Sequence, residues 1–222
     1  MTAEPDIRSV REERWRAKVA ADACWFIDQP TPELASVLAS WSNPEADRAL
    51  DVGCGPGTIT IHLAERFGMA VGFDVAAGAV EEGRKRAAGS NSPPTFLLAE
   101  APWLPFRDGA FGLIFDRGVL HHVPRGRWGT YFREVTRVLR PGGVYLQYCP
   151  QRVAPPLLSY RGLRRRVGRI VRPKPSVGEA MRAAAPKSLV PAEVRDFPFE
   201  SRTGQHLVFT FGMFHKVEEP PR

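Results

Sequence analysis

Apolar and polar positions follow two different periods along this chain, and the change of period marks its organisation. Residues 8–27 place Trp15, Val19, Ala20, Ala23 and Phe26 at helical intervals among charges, which predicts an amphipathic helix that caps the domain or closes over a site. Thr31, Pro32 and Glu33 supply an N-cap hydroxyl, a proline at the first helical position and an early carboxylate, predicting a helix to about Trp41. From Ala49 short apolar runs take turns with helical stretches. Strands are predicted at 49–52, 70–73, 95–99, 111–115 and 144–149, and helices at 58–67, 76–87 and 127–139. That alternation calls for a doubly wound α/β domain, a mostly parallel sheet with helices on both faces. After Pro150 the alternation stops. A short helix at 177–184 is followed by two strands, 194–200 and 206–216, whose connection Ser201-Arg202-Thr203-Gly204 suits an antiparallel hairpin.

Composition narrows the class without naming it. A chain of 222 residues with 43% hydrophobic and 25% charged residues fills one core, which argues against a disordered, collagenous or disulfide-stapled protein. Cys24, Cys54 and Cys149 are odd in number, widely spaced and outside any CxxC or Cys/His cluster, so a reducing compartment and no structural metal are expected. The N-terminus has acidic residues and no apolar core of a signal peptide. No uncharged apolar run reaches the roughly 18 to 20 residues of a membrane span, and a soluble cytoplasmic protein is the expectation.

The net charge of +7 is unevenly placed. Residues 1–150 carry 17 basic against 18 acidic side chains, and residues 151–222 carry 14 against 6. Eight of those 14 lie between Arg152 and Lys174, where there is no acid. Three partners suit such a segment: a small-molecule acceptor beside which it forms an exposed insertion, an anionic ligand or membrane surface, or a nucleic acid. A helix over 158–171 would bring Leu163, Val167, Ile170 and Val171 to one face, the pattern of a peripheral membrane helix. Interleaved aromatics are limited to Tyr160, which gives base stacking little support. Oligomeric state is left open.

The chemistry points to the turn after the first strand of the sheet. Gly53-Cys54-Gly55-Pro56-Gly57 lies between a strand and a helix, where open α/β sheets bind ligands beyond the carboxyl ends of their strands. Asp51 precedes the turn. Asp74 ends the next strand, 17 residues beyond Gly57, near the spacing of an acid that accepts ribose hydroxyls. A dinucleotide fits less well, because the third glycine comes one residue early and a carboxylate before the turn repels phosphates.

These residues resemble the class I S-adenosylmethionine-dependent methyltransferases of the small-molecule branch. Leu50-Asp51-Val52-Gly53-Cys54-Gly55-Pro56-Gly57 carries the resemblance, with Gly72-Phe73-Asp74-Val75, Ala99-Glu100-Ala101, Arg117-Gly118-Val119-Leu120-His121-His122-Val123 and the run from Glu134 to Gly143 in order behind it. The resemblance implies a seven-stranded Rossmann-like methyltransferase sheet and S-adenosyl-L-methionine as methyl donor. It implies that Gly53, Gly55 and Gly57 underlie the methionine part with Asp51 near its amino group, and that Asp74, beside Val75, holds the ribose. By the same likeness Glu100 and Ala101 border the adenine, and Asp116 and Arg117 line the donor pocket. Relatives carry Asp where Glu100 stands, and an aromatic-acid pair where this chain has Phe111-Gly112, a change that concerns structure.

Methyl transfer from a sulfonium is an in-line displacement for which a general base is optional. His121 and His122 are the nearest candidates; the other reading packs one inward and bonds the other to backbone, since tandem histidines on a helix do not face one site. Arg117 is open to an acidic acceptor, the donor carboxylate, or an ion pair with Asp116 or Glu134. Trp103 and Phe106 read as packing, and Trp15, Trp25 and Phe26 as an apolar lid or as core. Cys54 reads as a small apolar residue. Together these give a helical cap over 1–45, a donor-binding core over 46–150, a basic acceptor-side element over 151–190 and closing strands over 191–222. The function implied is methyl transfer to a small organic acceptor, the alternatives being an RNA or lipid-like acceptor held by 152–174, or a donor-binding module without turnover.

Overall fold

The first helix starts where its cap dictates. In the computed structural model, which describes residues 12, 13, 15, 16, 27–42, 47–151, 176–200 and 206–218, α1 spans Pro32–Ser40 and the Thr31 hydroxyl accepts the Leu34 amide. Thr31 also bonds the Tyr148 hydroxyl at 2.7 Å; that hydroxyl donates to Glu33 at 2.9 Å, and Glu33 pairs with Arg195. The first turn of α1 is therefore tied to two strands far away in sequence.

The alternation from Ala49 folds as β1 (Arg48–Val52), α2 (Thr58–Ala64), β2 (Met69–Asp74), α3 (Ala77–Arg86), β3 (Thr95–Leu98), β4 (Phe111–Arg117), α4 (Trp128–Val138) and β5 (Leu139–Pro150). Then follow α5 (Val177–Ala184), β6 (Leu189–Glu200) and β7 (His206–Lys216). The seven strands form one sheet in the order β3-β2-β1-β4-β5-β7-β6. β1 to β5 run parallel, and β7 and β6 close the sheet antiparallel. This is the doubly wound, mostly parallel sheet with a C-terminal hairpin that the alternation requires. The hairpin turn, the segment 158–171, Trp25 and Phe26 lie outside the described residues.

Both faces are covered, which is why β1 and β4 read as unbroken apolar runs. α4 buries Trp128, Tyr131, Phe132, Val135 and Val138, a stripe at helical spacing, against Leu50, Val52, Ile114 and Tyr145. On the other face Leu34, Leu38, Ile59 and Leu63 pack on Ala49, Leu113, Phe115 and Tyr148.

Two strands are longer than their apolar runs. β5 begins at Leu139 and crosses residues 141–143 with a register shift, because Gly142 takes φ +70° and lets the strand bulge. β6 begins at Leu189 and contains Pro191 and Pro198, which an edge strand tolerates because one row of its amides needs no partner.

Gly112 in β4 leaves room for a carboxylate from another part of the chain. A Cβ there would fall 2.1 Å from the carboxylate of Asp47, which the Arg140 guanidinium holds at 2.6 and 3.1 Å. The Asp47 carboxylate, in the loop before β1, needs the space that glycine leaves. Gly112→Ala is expected to lower stability by about 1–3 kcal/mol through overpacking. Urea unfolding checks it, and Asp47→Ala in the same chain should recover part of the loss; a midpoint unmoved by the single change contradicts the account.

Candidate active site

A cavity of about 1060 Å³ opens at the carboxyl ends of the parallel strands, where β1 and β4 lie side by side although they are not consecutive. Most of the residues singled out from sequence line it: Asp51, Gly53, Gly55, Asp74, Val75, Glu100, Ala101, Arg117, His121 and His122. Gly57 and Asp116 do not.

The glycine turn is built by positive backbone angles, φ +68° at Gly53, +53° at Gly55 and +79° at Gly57. Gly57 works beneath the cavity instead of on its wall. It precedes α2, and a Cβ there would lie 2.5 Å from the Phe96 ring and 3.2 Å from the Gly83 backbone, so the glycine leaves room for that ring and for α3. Asp74 anchors the turn from the next strand: one carboxylate oxygen accepts the Gly55 amide at 3.0 Å and the other the Ala76 amide at 2.9 Å.

Asp51 is 3% exposed and accepts the Thr60 hydroxyl at 2.7 Å. Burial raises its carboxyl to about 7, with Asp74 and Asp116 adding to the rise and the Thr60 bond opposing it. Thr60 was not singled out from sequence; its signal is a polar residue between Ile59 and Leu63 on the buried face of α2. Gly72 makes room for it, since a Cβ there would sit 2.5 Å from the Thr60 hydroxyl. Cys54 is buried in the same place, and burial followed by the charges of Asp51 and Asp74 pushes its thiol well above the usual range, which suits a small packed residue.

Beyond β4 the wall changes character. The expectation that Asp116 lines the pocket is corrected: it is fully buried and accepts the Val119 amide at 2.8 Å, the Tyr131 hydroxyl at 2.7 Å and the Tyr145 hydroxyl at 3.3 Å. Burial raises its carboxyl to about 6. Strand geometry explains this, since successive side chains take opposite faces and Arg117, not Asp116, shares the face of Asp51 and Phe115. Of the acids weighed as partners for Arg117, Asp116 makes these three bonds and Glu134 pairs with Arg137. The Arg117 guanidinium lies over the rings of Phe199 and Phe209, 5.5 and 5.8 Å from their centroids.

The tandem histidines both line the cavity, contrary to the helical argument. Leu120–His122 is a 3₁₀ turn, not an α-helix, Leu120 takes the buried position, and the two rings pack against each other with centroids 3.6 Å apart.

The N-terminal segment reaches the site as well. Glu12 accepts the Gly78 amide at 3.0 Å in the first turn of α3, whose N-cap residue Ala76 offers no side-chain cap, and Trp15 lines the cavity. Trp103 is 66% exposed and is no packing residue, whereas Phe106 meets Phe111 edge to face at 4.9 Å. Lining residues that sequence reasoning missed include Ile27, Thr58, Arg127, Pro150, Leu207 and Phe209.

An S-adenosyl donor fits these residues on structural grounds: a glycine turn held at positive φ on the cavity wall, a carboxylate at the end of each of β1 and β2, and a volume just above the roughly 300–1,000 Å³ typical of single-ligand pockets.

Comparison with known proteins gives the same picture. Residues 49–143 match the family model described as a methyltransferase domain. The chain is 32% identical over 130 residues to 2-heptyl-1-hydroxyquinolin-4(1H)-one methyltransferase of Mycobacteroides abscessus, covering 58% of this chain and 56% of that one. It is 36% identical over 121 residues to 27-O-demethylrifamycin SV methyltransferase of Amycolatopsis mediterranei, covering 53% and 44%. The chain thus spans about half the length of the curated relatives it matches. Among solved structures, geranyl diphosphate C-methyltransferase from Streptomyces coelicolor, in complex with S-adenosyl-L-homocysteine, superposes with a TM-score of 0.64 at 17% identity, covering 98% of this chain and 100% of that one. A likeness at that identity speaks for the fold.

Proposed function

We propose that residues 49–143, which match a methyltransferase-domain model, form a class I S-adenosylmethionine-dependent methyltransferase domain, and that the whole chain transfers a methyl group from S-adenosyl-L-methionine to a small organic acceptor in the cytoplasm. The observation that carries this reading is one cavity lined both by the glycine turn with Asp51 and Asp74 and by a second, chemically different wall. Relatives named for a hydroxyquinolinone and a rifamycin support a small-molecule acceptor. Among the described residues no helix is long and apolar enough to cross a membrane.

When bound, the donor supplies an activated methyl: the acceptor's lone pair takes the methyl carbon while the carbon–sulfur bond breaks and its electron pair stays on sulfur. The chain's part is alignment and exclusion of water. In this reading Gly53 and Gly55 take the amino-acid end, Asp51 faces its ammonium group, Asp74 and Val75 take the ribose, and Glu100 and Ala101 border the adenine. Glu12 and Trp15 belong to a cap over the donor, latched at the start of α3. His122, with His121 packed on it, stands where it can receive a proton from an acceptor that must lose one. The core of 46–150 binds the donor, and the segments after it shape the acceptor side.

Turnover with methyl-labelled S-adenosyl-L-methionine and a metabolite extract tests the proposal. A labelled small molecule formed together with S-adenosyl-L-homocysteine supports it, and donor binding without product from any fraction points to a binding module. Asp51 adds a pH signature. Its carboxyl is raised to about 7 in the free protein, and an ammonium partner favours the charged form. Donor binding should therefore release a proton, and affinity should rise about tenfold from pH 6 to pH 8. Calorimetry in buffers of different ionisation enthalpy checks this. Affinity independent of pH would remove Asp51 from the ammonium site.

A further inference from the structure

The cavity is built differently on its two sides. Its carboxylates, Asp51, Asp74 and Glu100, come from the ends of β1 and β2 and the segment after β3. From β4, β5 and β7 come Phe115 and Phe209, both buried, and with them four more accessible apolar groups line the cavity: Ile27, Pro150 and Leu207 half-buried, and Pro124 exposed. Strand pairing brings the distant ones together. β7 returns antiparallel beside β5, so Pro150 is the Cα partner of Phe209 and the Gln151 amide donates to the Val208 carbonyl at 2.7 Å. Ile27 and Leu207 pack at the edge of the core that holds Phe115 and Phe209. None of these six side chains carries a hydrogen-bonding atom.

Resting on the methyltransferase reading above, we propose that the acceptor is lipophilic, a small molecule whose alkyl or aromatic body is seated on this wall, and that Leu207 is a specificity-determining residue for it. Apolar surface left half exposed in a ligand cavity favours a ligand that removes it from water, in proportion to the area covered. A wholly polar acceptor, such as a sugar or a free amino acid, loses water there that no side chain of the wall replaces. The charged and hydroxylated parts of the donor go to the carboxylate side in that reading, so the apolar side is left to the second ligand. Recognition of an apolar body asks no hydrogen bond of Arg117, His121 or His122, each of which interacts within the chain. Leu207 tunes the fit because it is only partly held by the core, unlike Phe115 and Phe209. Its side chain can change while its backbone keeps its pairing with Phe199 of β6.

Butanol, hexanol and octanol, titrated by calorimetry into protein saturated with S-adenosyl-L-homocysteine, test the proposal. Affinity should rise about three- to fourfold for each methylene added, hence about tenfold for each step of the series, with a negative heat-capacity change. Leu207→Ser should lower octanol affinity at least about fivefold, and Leu207→Met, which keeps an apolar side chain of similar volume, should retain most of it. Should Leu207→Ser fail to fold, Leu207→Ala takes its place, with a loss of about threefold or more. A flat series, or an octanol affinity untouched by whichever truncation folds, overturns the acceptor class while S-adenosyl-L-homocysteine still binds. No binding of S-adenosyl-L-homocysteine overturns the methyltransferase reading itself.

Discussion

Asp74→Ala is expected to weaken S-adenosyl-L-homocysteine binding by about 100-fold or more, the larger part of it through the backbone. A carboxylate offers about four lone-pair sites, and here two of them accept the amides of Gly55 and Ala76 at 3.0 and 2.9 Å. In the proposed reading the same carboxylate also accepts ribose hydroxyls. Alanine removes all of these acceptors. Each bond to a charged group is worth about 1.5–3 kcal/mol, so losing the ribose contact alone costs at least about tenfold. Releasing the Gly55 amide then lets a turn held at φ +53° relax out of its binding shape. Asn, which keeps one carbonyl acceptor, should fall between wild type and Ala. Calorimetric titration of the three proteins provides the check, with circular dichroism to establish that each is folded. Wild-type affinity in Asp74→Ala would detach Asp74 from the donor, and equal losses in Asn and Ala would mean that charge, not acceptor geometry, is what matters.

That dual role shows how far the sequence could be read. The order strand, glycine turn, helix, strand, acid was legible because each part obeys a local rule: an apolar run, a positive-φ turn, a helical period. So was the parallel sheet. What lay beyond local rules was hidden. Asp116 and Arg117 are neighbours in sequence and were given one role, yet strand alternation sends them to opposite faces, one to Tyr131 and Tyr145 and the other to the cavity. Thr60 acts on Asp51 only because Gly72, on the next strand, leaves room for it. Pro150, Leu207 and Phe209 reach the site because β7 returns antiparallel beside β5, a pairing fixed by tertiary packing. The tandem histidines depend on backbone geometry in the same way: an α-helical advance per residue would part them, and the 3₁₀ turn of the chain brings both to the cavity.

Gly53→Ala should show how tightly the two walls are joined. At φ +68° an alanine pays the strain of the left-handed region, about 1–2 kcal/mol, and its Cβ would lie 2.1 Å from the Val119 side chain. Val119 is poorly placed to retreat. Its amide donates to Asp116 at 2.8 Å, and Asp116 is fixed from the other side by the hydroxyls of Tyr131 and Tyr145. Overpacking against a held neighbour adds about 1–3 kcal/mol, so a total destabilisation of about 2–5 kcal/mol is expected, with loss of measurable donor binding. The pair Gly53→Ala/Val119→Ala separates the two causes. Removing the valine side chain should return the steric part of the stability and leave the backbone part, while Val119→Ala alone should cost little beyond its cavity. Urea midpoints for the four proteins measure the coupling. A strictly additive cycle would mean that Gly53 and Val119 do not press on each other, and the buried carboxylate of Asp116 would then have no route to the glycine turn. A non-additive one means that the β4 wall, whose Val119 amide is held by the buried Asp116, presses directly on the glycine turn.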